Sequence, residues 1–532
     1  MKYIPPILTA LVLLLLSACA GGDTDYDVII EGATIVDGSG SPPFEGDIAI
    51  SGDRIAAVGE LGRASATKRI AAEGLVAAPG FIDIHSHATS GSIERSAIVL
   101  RPDAENYVRQ GVTTVFGGQD GSSMQDVGAF LAHMDAHPAA INVGVFFGHG
   151  SLRGHVVGQE NVPATQESLD EMVRQVERAM LDGAFGLSSG LEYTPGAFAG
   201  VDEVAALAAP VAEHGGMYIS HIRDEGGLLL ESVDEVLEVG RRSGARVQIT
   251  HHKVIGKGRW GMADQSLALI DQARAEGVDA SSDQYPYTAS STGLTILFPT
   301  WSKDGGFEAL QARLADSAQR ARIRRDVIDH ITMERGADPA TIVAARCEFD
   351  GSFNGKSLAD ILIDRGLPVT VAGAADVAME LVEAGSCSGV FHSMSPEDVR
   401  TIMQHPWTAI SSDGGIPAMG AGVPHPRNYG AFSRVLGRYV RQDSVLTLAE
   451  AVHKMSGLPA SRLNLADRGR LQEGFVADIT LFDPDTIVDR AVFGDPHHYA
   501  EGTIHVWVSG VPVLLDGEMT GLRSGKALRH RK

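Results

Sequence analysis

The chain of 532 residues carries 44 Lys plus Arg against 67 Asp plus Glu, a net charge of −23 with histidines neutral. That excludes a nucleic-acid binder acting through a broad basic surface, because such binding rests on neutralising phosphates. Hydrophobic residues at 44% and charged residues at 21% exclude a disordered or fibrous chain and imply a large buried core. The length suits roughly two to four domains, although one α/β barrel can absorb about 250 residues or more; two folding units are expected.

At the start, Met1-Lys2 precedes an apolar stretch from Ile4 to Leu16, followed by Ser17-Ala18-Cys19. The stretch is too short to span a bilayer as a helix and reads as a signal peptide over residues 1–18. A small-residue site ending in cysteine resembles the lipobox of bacterial lipoproteins, in which cleavage leaves Cys19 as the lipidated first residue. Residues 19–25 then form a polar tether, and Ala20 after the cysteine implies a periplasmic protein at the outer membrane, touching membrane only through its lipid. Cys347 and Cys387 could pair in an oxidising periplasm, but nothing in the sequence brings them together, and no essential disulfide is expected.

Short alternating apolar runs follow: Val28–Ile30, Ala33–Val36, Asp47–Ile50, Arg54–Val58 and Leu75-Val76. Similar runs return in Ala477–Phe482, Ile504–Val508 and Val511–Leu515. Residues 26–78 and 465–532 therefore read as one small β-sandwich built from both termini. Between them, apolar strand-like runs alternate with helical stretches, as in Ile141–Phe147, Gln166–Leu181 and Phe185–Leu187, which is the pattern of βα units on a parallel sheet. Strands ending near His87, Gly118, His149, Glu192, His221, His251, Tyr285 and Asp413 predict an α/β fold with a TIM (β/α)8 barrel over 79–464, its site at the carboxyl ends of the strands. The span from about 290 to 400 is too long for a simple connection and reads as an inserted lid. Within it Gly306–Met333 has helical periodicity, while Pro368–Ala374 and Val390-Phe391 read as short strands. Lys257, Arg259 and the arginines of 312–325 read as solvated charges.

The strongest chemical signal is Gly80-Phe81-Ile82-Asp83-Ile84-His85-Ser86-His87. Residues i and i+2 of a strand share a face, so His85 and His87 can meet one metal ion. Two such histidines alone say little. His221, His251 and Asp413 at the ends of three further expected strands turn the pair into a ligand set.

With these motifs in view, the chain resembles the amidohydrolase superfamily and, within it, the N-acyl-D-amino-acid deacylases, or D-aminoacylases. The resemblance rests on GFIDIHSH at 80, QGVTTV at 110, FGLSSGLEYTPG at 185, YISHIRDEG at 218, THHK at 250, QYPYTASST at 284, SSDG at 411 and HPRNYGAFSRVLGRYVR at 425, and continues in DRGRLQEGFVADITLFDP and TGLRSGKALR. It implies a TIM barrel with a β-sandwich, one or two zinc ions, and hydrolysis of an N-acyl bond in an N-acyl amino acid or short peptide. One departure stands out. The family pattern after QGVTTV supplies a cysteine ligand, whereas this chain reads Gly117-Gly118-Gln119-Asp120-Gly121. Asp120 lies nearest the missing ligand. Glu192, just past the fourth strand, matches where related amidohydrolases bridge two metals and is the favoured replacement; either carboxylate can ligate zinc.

By the same resemblance Asp413 is the acid/base residue as well as a ligand, Arg427 grips the substrate carboxylate, and Lys253, Tyr285 and Ser291 are further substrate contacts. Arg223 and Asp224 receive no role. A dipeptidase for D- or isoaspartyl-containing peptides, or a cyclic-amide hydrolase, would use the same constellation. A non-catalytic binding lipoprotein fits less well, since it has no need of the complete ligand set.

Overall fold

A computed structural model gives the fold of residues 24–89 and 91–531; the expected signal peptide over residues 1–18, Cys19 and most of the expected tether lie outside these described residues. The amino-terminal strands Tyr26–Ile35, Phe44–Ser51, Arg54–Gly59, Ala66–Ala71 and Val76–Pro79 hydrogen-bond with the carboxyl-terminal strands Ile479–Phe482, Thr503–Val508, Val511–Leu515 and Glu518–Met519 in one nine-stranded sheet. The seam between the chain ends is antiparallel, with Thr480 opposite Ala78. Inward-facing Ile30, Ile35, Ile48, Ile55, Leu481 and Trp507 share one apolar cluster. The sandwich thus joins strands from the two ends of the sequence beside the barrel it flanks.

The barrel strands are Phe81–Asp83, Val112–Gly117, Asn142–Val145 continued as Phe147–Gly148, Gly186–Gly190, Met217–His221, Arg246–Ile249, Ala280–Gln284 and Thr408–Ile410. All pair in parallel. Nearly every residue in them is buried, as expected when helices cover one side and the barrel interior the other. A break at Phe146 divides the third strand between two arcs of the barrel, and a parallel bridge from Ser86 to Gly414 closes it. The helix Gln166–Asp182 begins at a Thr165 cap, whose side chain accepts from the Ser168 N–H, and ends at Gly183 in the left-handed conformation.

The lid is a three-stranded antiparallel sheet, Ser290–Gly293, Ile342–Cys347 and Cys387–Phe391, with helices including Gly306–Ala315, Ser317–Glu334, Leu358–Asp364 and Val371–Ala384. It has its own core, including Leu294, Leu314, Ile323, Val327, Leu362 and Leu381. Cys347 and Cys387 stand opposite each other on neighbouring strands and are disulfide-bonded, a pairing the sequence left open.

The structure corrects three sequence readings. Pro368–Ala374 is not a strand: Thr370 caps a helix from Val371, accepting from the Gly373 N–H, and Ala374, Ala378 and Leu381 fall on its buried face. The β-branched Val-Thr-Val triplet suggests extension, but capping and helical spacing prevail. The arginines of the lid are not simply solvated, for Arg320 pairs with Glu383, Arg324 with Asp376, and Arg259 reaches from the barrel to Glu334 on the lid. Finally, the extreme carboxyl-terminal segment leaves the sandwich: Ala527 forms a parallel bridge with Val143 of the third barrel strand, and the Leu528 N–H donates to the Val143 carbonyl.

Candidate metal centre and active site

Side chains at the carboxyl ends of the barrel strands converge on a cavity of about 650 Å³. His85 and His87 leave the first strand, His221 ends the fifth, and His251 and Asp413 follow the sixth and eighth. Asp120 comes from the loop after the second. That loop passes so close to the third and fourth strands that glycine is required beside them: a Cβ on Gly118, at φ +76°, would lie 2.1 Å from the Phe146 carbonyl oxygen, and one on Gly121, at φ +74°, 2.8 Å from the Gly190 nitrogen. Ser188 fixes the loop further, donating to the Gly118 carbonyl at 2.5 Å while accepting from the Gly121 N–H at 3.2 Å.

His87 Nε2 lies 3.0 Å from Asp413 Oδ1 and 3.4 Å from Asp120 Oδ2, and His85 Nε2 lies 3.6 Å from Oδ1 of each carboxylate. On the other side of Asp120, His251 Nε2 is 3.4 Å from Oδ1 and 2.8 Å from His221 Nδ1. Two ligand groups therefore share Asp120: His85, His87, Asp120 and Asp413 in one, Asp120, His221 and His251 in the other. Glu192 joins a third group with His221 and Glu225, its Oε2 standing 2.8 Å from His221 Nε2. Asp120 thus reaches three imidazoles and Glu192 one.

The residues fit divalent cations. Both ring nitrogens of His85, which is wholly buried, and Oδ1 of Asp120 have no hydrogen-bond partner, and an unpaired buried polar atom costs about 1–3 kcal/mol. Ligand atoms 2.0–2.2 Å from a tetrahedral zinc stand roughly 3.3 Å apart, the range in which these atoms lie. Asp120, His251 and Asp413 all have left-handed backbones, at φ +53°, +36° and +48°. Such strain costs on the order of 1–3 kcal/mol per residue and is concentrated at functional sites.

Burial alone would push the acids up and the histidines down. Instead their mutual attraction prevails: His85 and His251 hold Asp120 well below the carboxylate range, Arg427 and His87 do the same for Asp413, and His251 is raised to about 9 by Asp120 and Glu225 against burial and Lys253. A second layer orients the ligands. Asp283 accepts from the His251 backbone N–H at 2.9 Å, Gln248 at 2.7 Å and Ser411 at 2.7 Å, and its Oδ1 lies 3.7 Å from His85 Nδ1. Asp83 accepts from the Ser412 N–H at 3.0 Å and from its hydroxyl, bracing the turn that carries Asp413.

Arg427 donates to Asp413 Oδ2 at 2.7 Å and to the Ser291 carbonyl at 3.2 Å, with its guanidinium 4.9 Å from the Tyr285 ring. Lys253 pairs with Glu225, lies 2.7 Å from His251 Nδ1, and faces the same ring at 5.5 Å. All of these, with Ser291, line the cavity. Arg223 is engaged elsewhere, with Glu235 and the carbonyls of Ala197 and Ala199, and Asp224 accepts from Gly226 within a turn. Sequence reasoning passed over Glu225 and Asp283. The signal for Asp283 is an acid at a barrel-strand end; Glu225 differs from its unassigned neighbours only in the direction its loop takes.

The description "amidohydrolase family" matches residues 360–514. A D-aminoacylase of Alcaligenes xylosoxydans xylosoxydans is 34% identical over 94% of this chain and 97% of its own, and an N-acyl-D-glutamate deacylase of the same organism is 36% identical over 94% and 96%. The chain belongs to the D-aminoacylase family of amidohydrolases. A crystal structure of the family's N-acyl-D-glutamate deacylase from Bordetella bronchiseptica, complexed with zinc and a phosphonate inhibitor that mimics the tetrahedral intermediate, superposes with a TM-score of 0.80 at 33% identity, covering 95% of this chain and 99% of that one. As a D-aminoacylase-family barrel, the chain places at 120 an aspartate that belongs to both of its histidine-containing ligand groups.

Proposed function

We propose that the protein is a zinc-dependent hydrolase that cleaves the amide bond of N-acyl-D-amino acids to a carboxylate and a free D-amino acid. The observation that carries this reading is the convergence of His87, Asp120, His221, His251 and Asp413 on one cavity, with buried His85 completing the cluster and Asp120 common to two ligand groups. It is supported by the relatives described above, one of which binds zinc with a mimic of the tetrahedral intermediate. His85, His87, Asp120 and Asp413 would hold one ion, and His221 and His251 with Asp120 a second, Glu192 standing beside them. When bound, such an ion supplies Lewis acidity, which makes water nucleophilic near neutral pH and polarises an amide carbonyl.

The chain's own residues supply the rest. Arg427 keeps Asp413 ionised, so its carboxylate can accept a proton from the attacking water and deliver it to the leaving nitrogen, which cannot depart as an amide anion. Arg427, with Lys253 and Tyr285 beside it, presents a cationic wall to the substrate's α-carboxylate. The lid strand Ser290–Gly293 forms part of the cavity wall. Hydrolysis of N-acyl-D- and N-acyl-L-amino acids and of mixed-chirality dipeptides, with added zinc and with chelator, tests the assignment. Zinc-dependent release of free D-amino acids is expected, and turnover restricted to dipeptides or cyclic amides would overturn it.

The location proposed is the periplasmic face of the outer membrane, with Cys19 as the lipidated amino terminus. This rests on Leu16-Ser17-Ala18-Cys19 and the short apolar run before it; among the described residues no helix is long and apolar enough to cross a membrane. Mass spectrometry of the mature protein should find a diacylglyceryl-modified Cys19. An unmodified start beyond that residue would contradict the anchor.

A further inference from the structure

Among the described residues, Arg153, Arg335, Arg427, Arg462 and Arg468 are the buried arginines. Four hold a carboxylate: Arg153 pairs with Glu203, Arg427 with Asp413, Arg462 with Asp279 and Arg468 with Asp478. Arg335 does not. It follows the lid helix Ser317–Glu334, is 4% exposed, and lines the catalytic cavity. One guanidinium nitrogen donates to the Ser393 hydroxyl at 3.1 Å, Nε is buried with no partner, and among the described residues the third nitrogen makes no hydrogen bond. The acids whose fields reach it, Glu192, Glu225 and Glu334, are committed to His221, to Lys253 and His251, and to Arg259.

A buried charge left unpaired is costly, which is why buried arginines are normally paired. The Phe391 ring, 4.8 Å from the guanidinium, supplies a cation–π contact but accepts none of the free N–H groups. What those groups lack is a planar acceptor entering from the cavity, and a carboxylate matches a guanidinium edge with two parallel hydrogen bonds. The α-carboxylate has its own cations at Arg427 and Lys253. We infer that Arg335 binds a second carboxylate of the substrate, so that the enzyme prefers N-acyl-D-amino acids that carry an anionic group besides the α-carboxylate. The inference rests on the deacylase reading and narrows its substrate class.

The second carboxylate has two sources, the amino-acid side chain or the acyl group, and matched pairs separate them: N-acetyl-D-glutamate against N-acetyl-D-glutamine, and N-succinyl-D-leucine against N-butyryl-D-leucine. In the native enzyme kcat/KM should favour the acidic member of at least one pair by roughly 30-fold or more, the scale of a buried charge pair. Arg335→Met should abolish that ratio, and Arg335→Lys should retain part of it through charge without the two-point grip. Melting temperatures establish that the variants are folded; should the Met variant fail to fold, the ratio in the Lys variant must still fall. A ratio near one in the native enzyme, or an acidic preference unchanged in a folded variant, would overturn the role of Arg335 while leaving the deacylase reading in place. A purely structural arginine would alter stability and not the ratio. If no N-acyl-D-amino acid is hydrolysed at all, the deacylase reading falls and this inference with it.

Discussion

Asp413 shows how one side chain can combine two demands. Its Oδ1 faces His87 while Oδ2 is held by Arg427, and the strained backbone at φ +48° aims it into the cavity. Asp413→Asn should keep the shape but lose the proton acceptor, lowering turnover by about 100-fold to 10,000-fold. A role confined to the fold would leave turnover of the surviving native fraction nearly intact, so melting temperature, zinc content and turnover are to be measured on the same preparation. Asp120 gives a second prediction. Because its carboxylate touches both ligand groups, Asp120→Ala should lower bound zinc as read by elemental analysis, whereas Glu192→Gln, altering a group that reaches only His221, should retain it. The reverse pattern would return the bridging role to Glu192. The strand-end histidines and Asp413 are legible in the sequence because alternation along a strand fixes which side chains face the barrel mouth. The balance between Asp120 and Glu192 is not, since it depends on a loop conformation set by Gly118, Gly121 and Ser188.

At the scale of elements, the barrel is legible because most of its buried parallel strands read as short apolar runs with a polar residue at or just past their ends. The lid is legible as an insertion but not in its topology, for its sheet pairs strands far apart in sequence and its helix at Val371 is disguised by β-branched residues. A buried contact between two barrel segments yields a pH prediction. Glu203, on the helix Val201–Glu213, lies 3.0 Å from His149 Nε2 and 3.0 Å from Arg153 Nε, both on the helix His149–Val156 that follows the third strand. Burial raises its pKa, but His149 and Arg153 outweigh burial and hold it below the usual value of 4.5. A carboxylate depressed in the folded state contributes stability that is fully present above its unfolded pKa and is lost as pH falls through its folded one. Glu203→Gln leaves Arg153 buried without its counter-charge and should cost about 3–5 kcal/mol near neutral pH. The gap between native and variant in denaturant titrations should close on acidification; a gap independent of pH would show that the charge is not what stabilises this contact.

For the whole molecule, the sandwich, barrel and lid divide the labour physically. The sandwich joins strands from the two ends of the sequence, the barrel brings candidate ligands from the ends of its first, second, fourth, fifth, sixth and eighth strands, and the lid, with a core of its own, presents Arg335 and Ser291 to the cavity. The central claim is that the cluster around Asp120 is a catalytic zinc centre, and it is tested most directly by stripping the purified enzyme with chelator and titrating zinc back while following metal content and hydrolysis of N-acyl-D-amino acids together. Activity should vanish on stripping and return in proportion to bound zinc. Full turnover in protein with no metal detectable by elemental analysis would contradict the account.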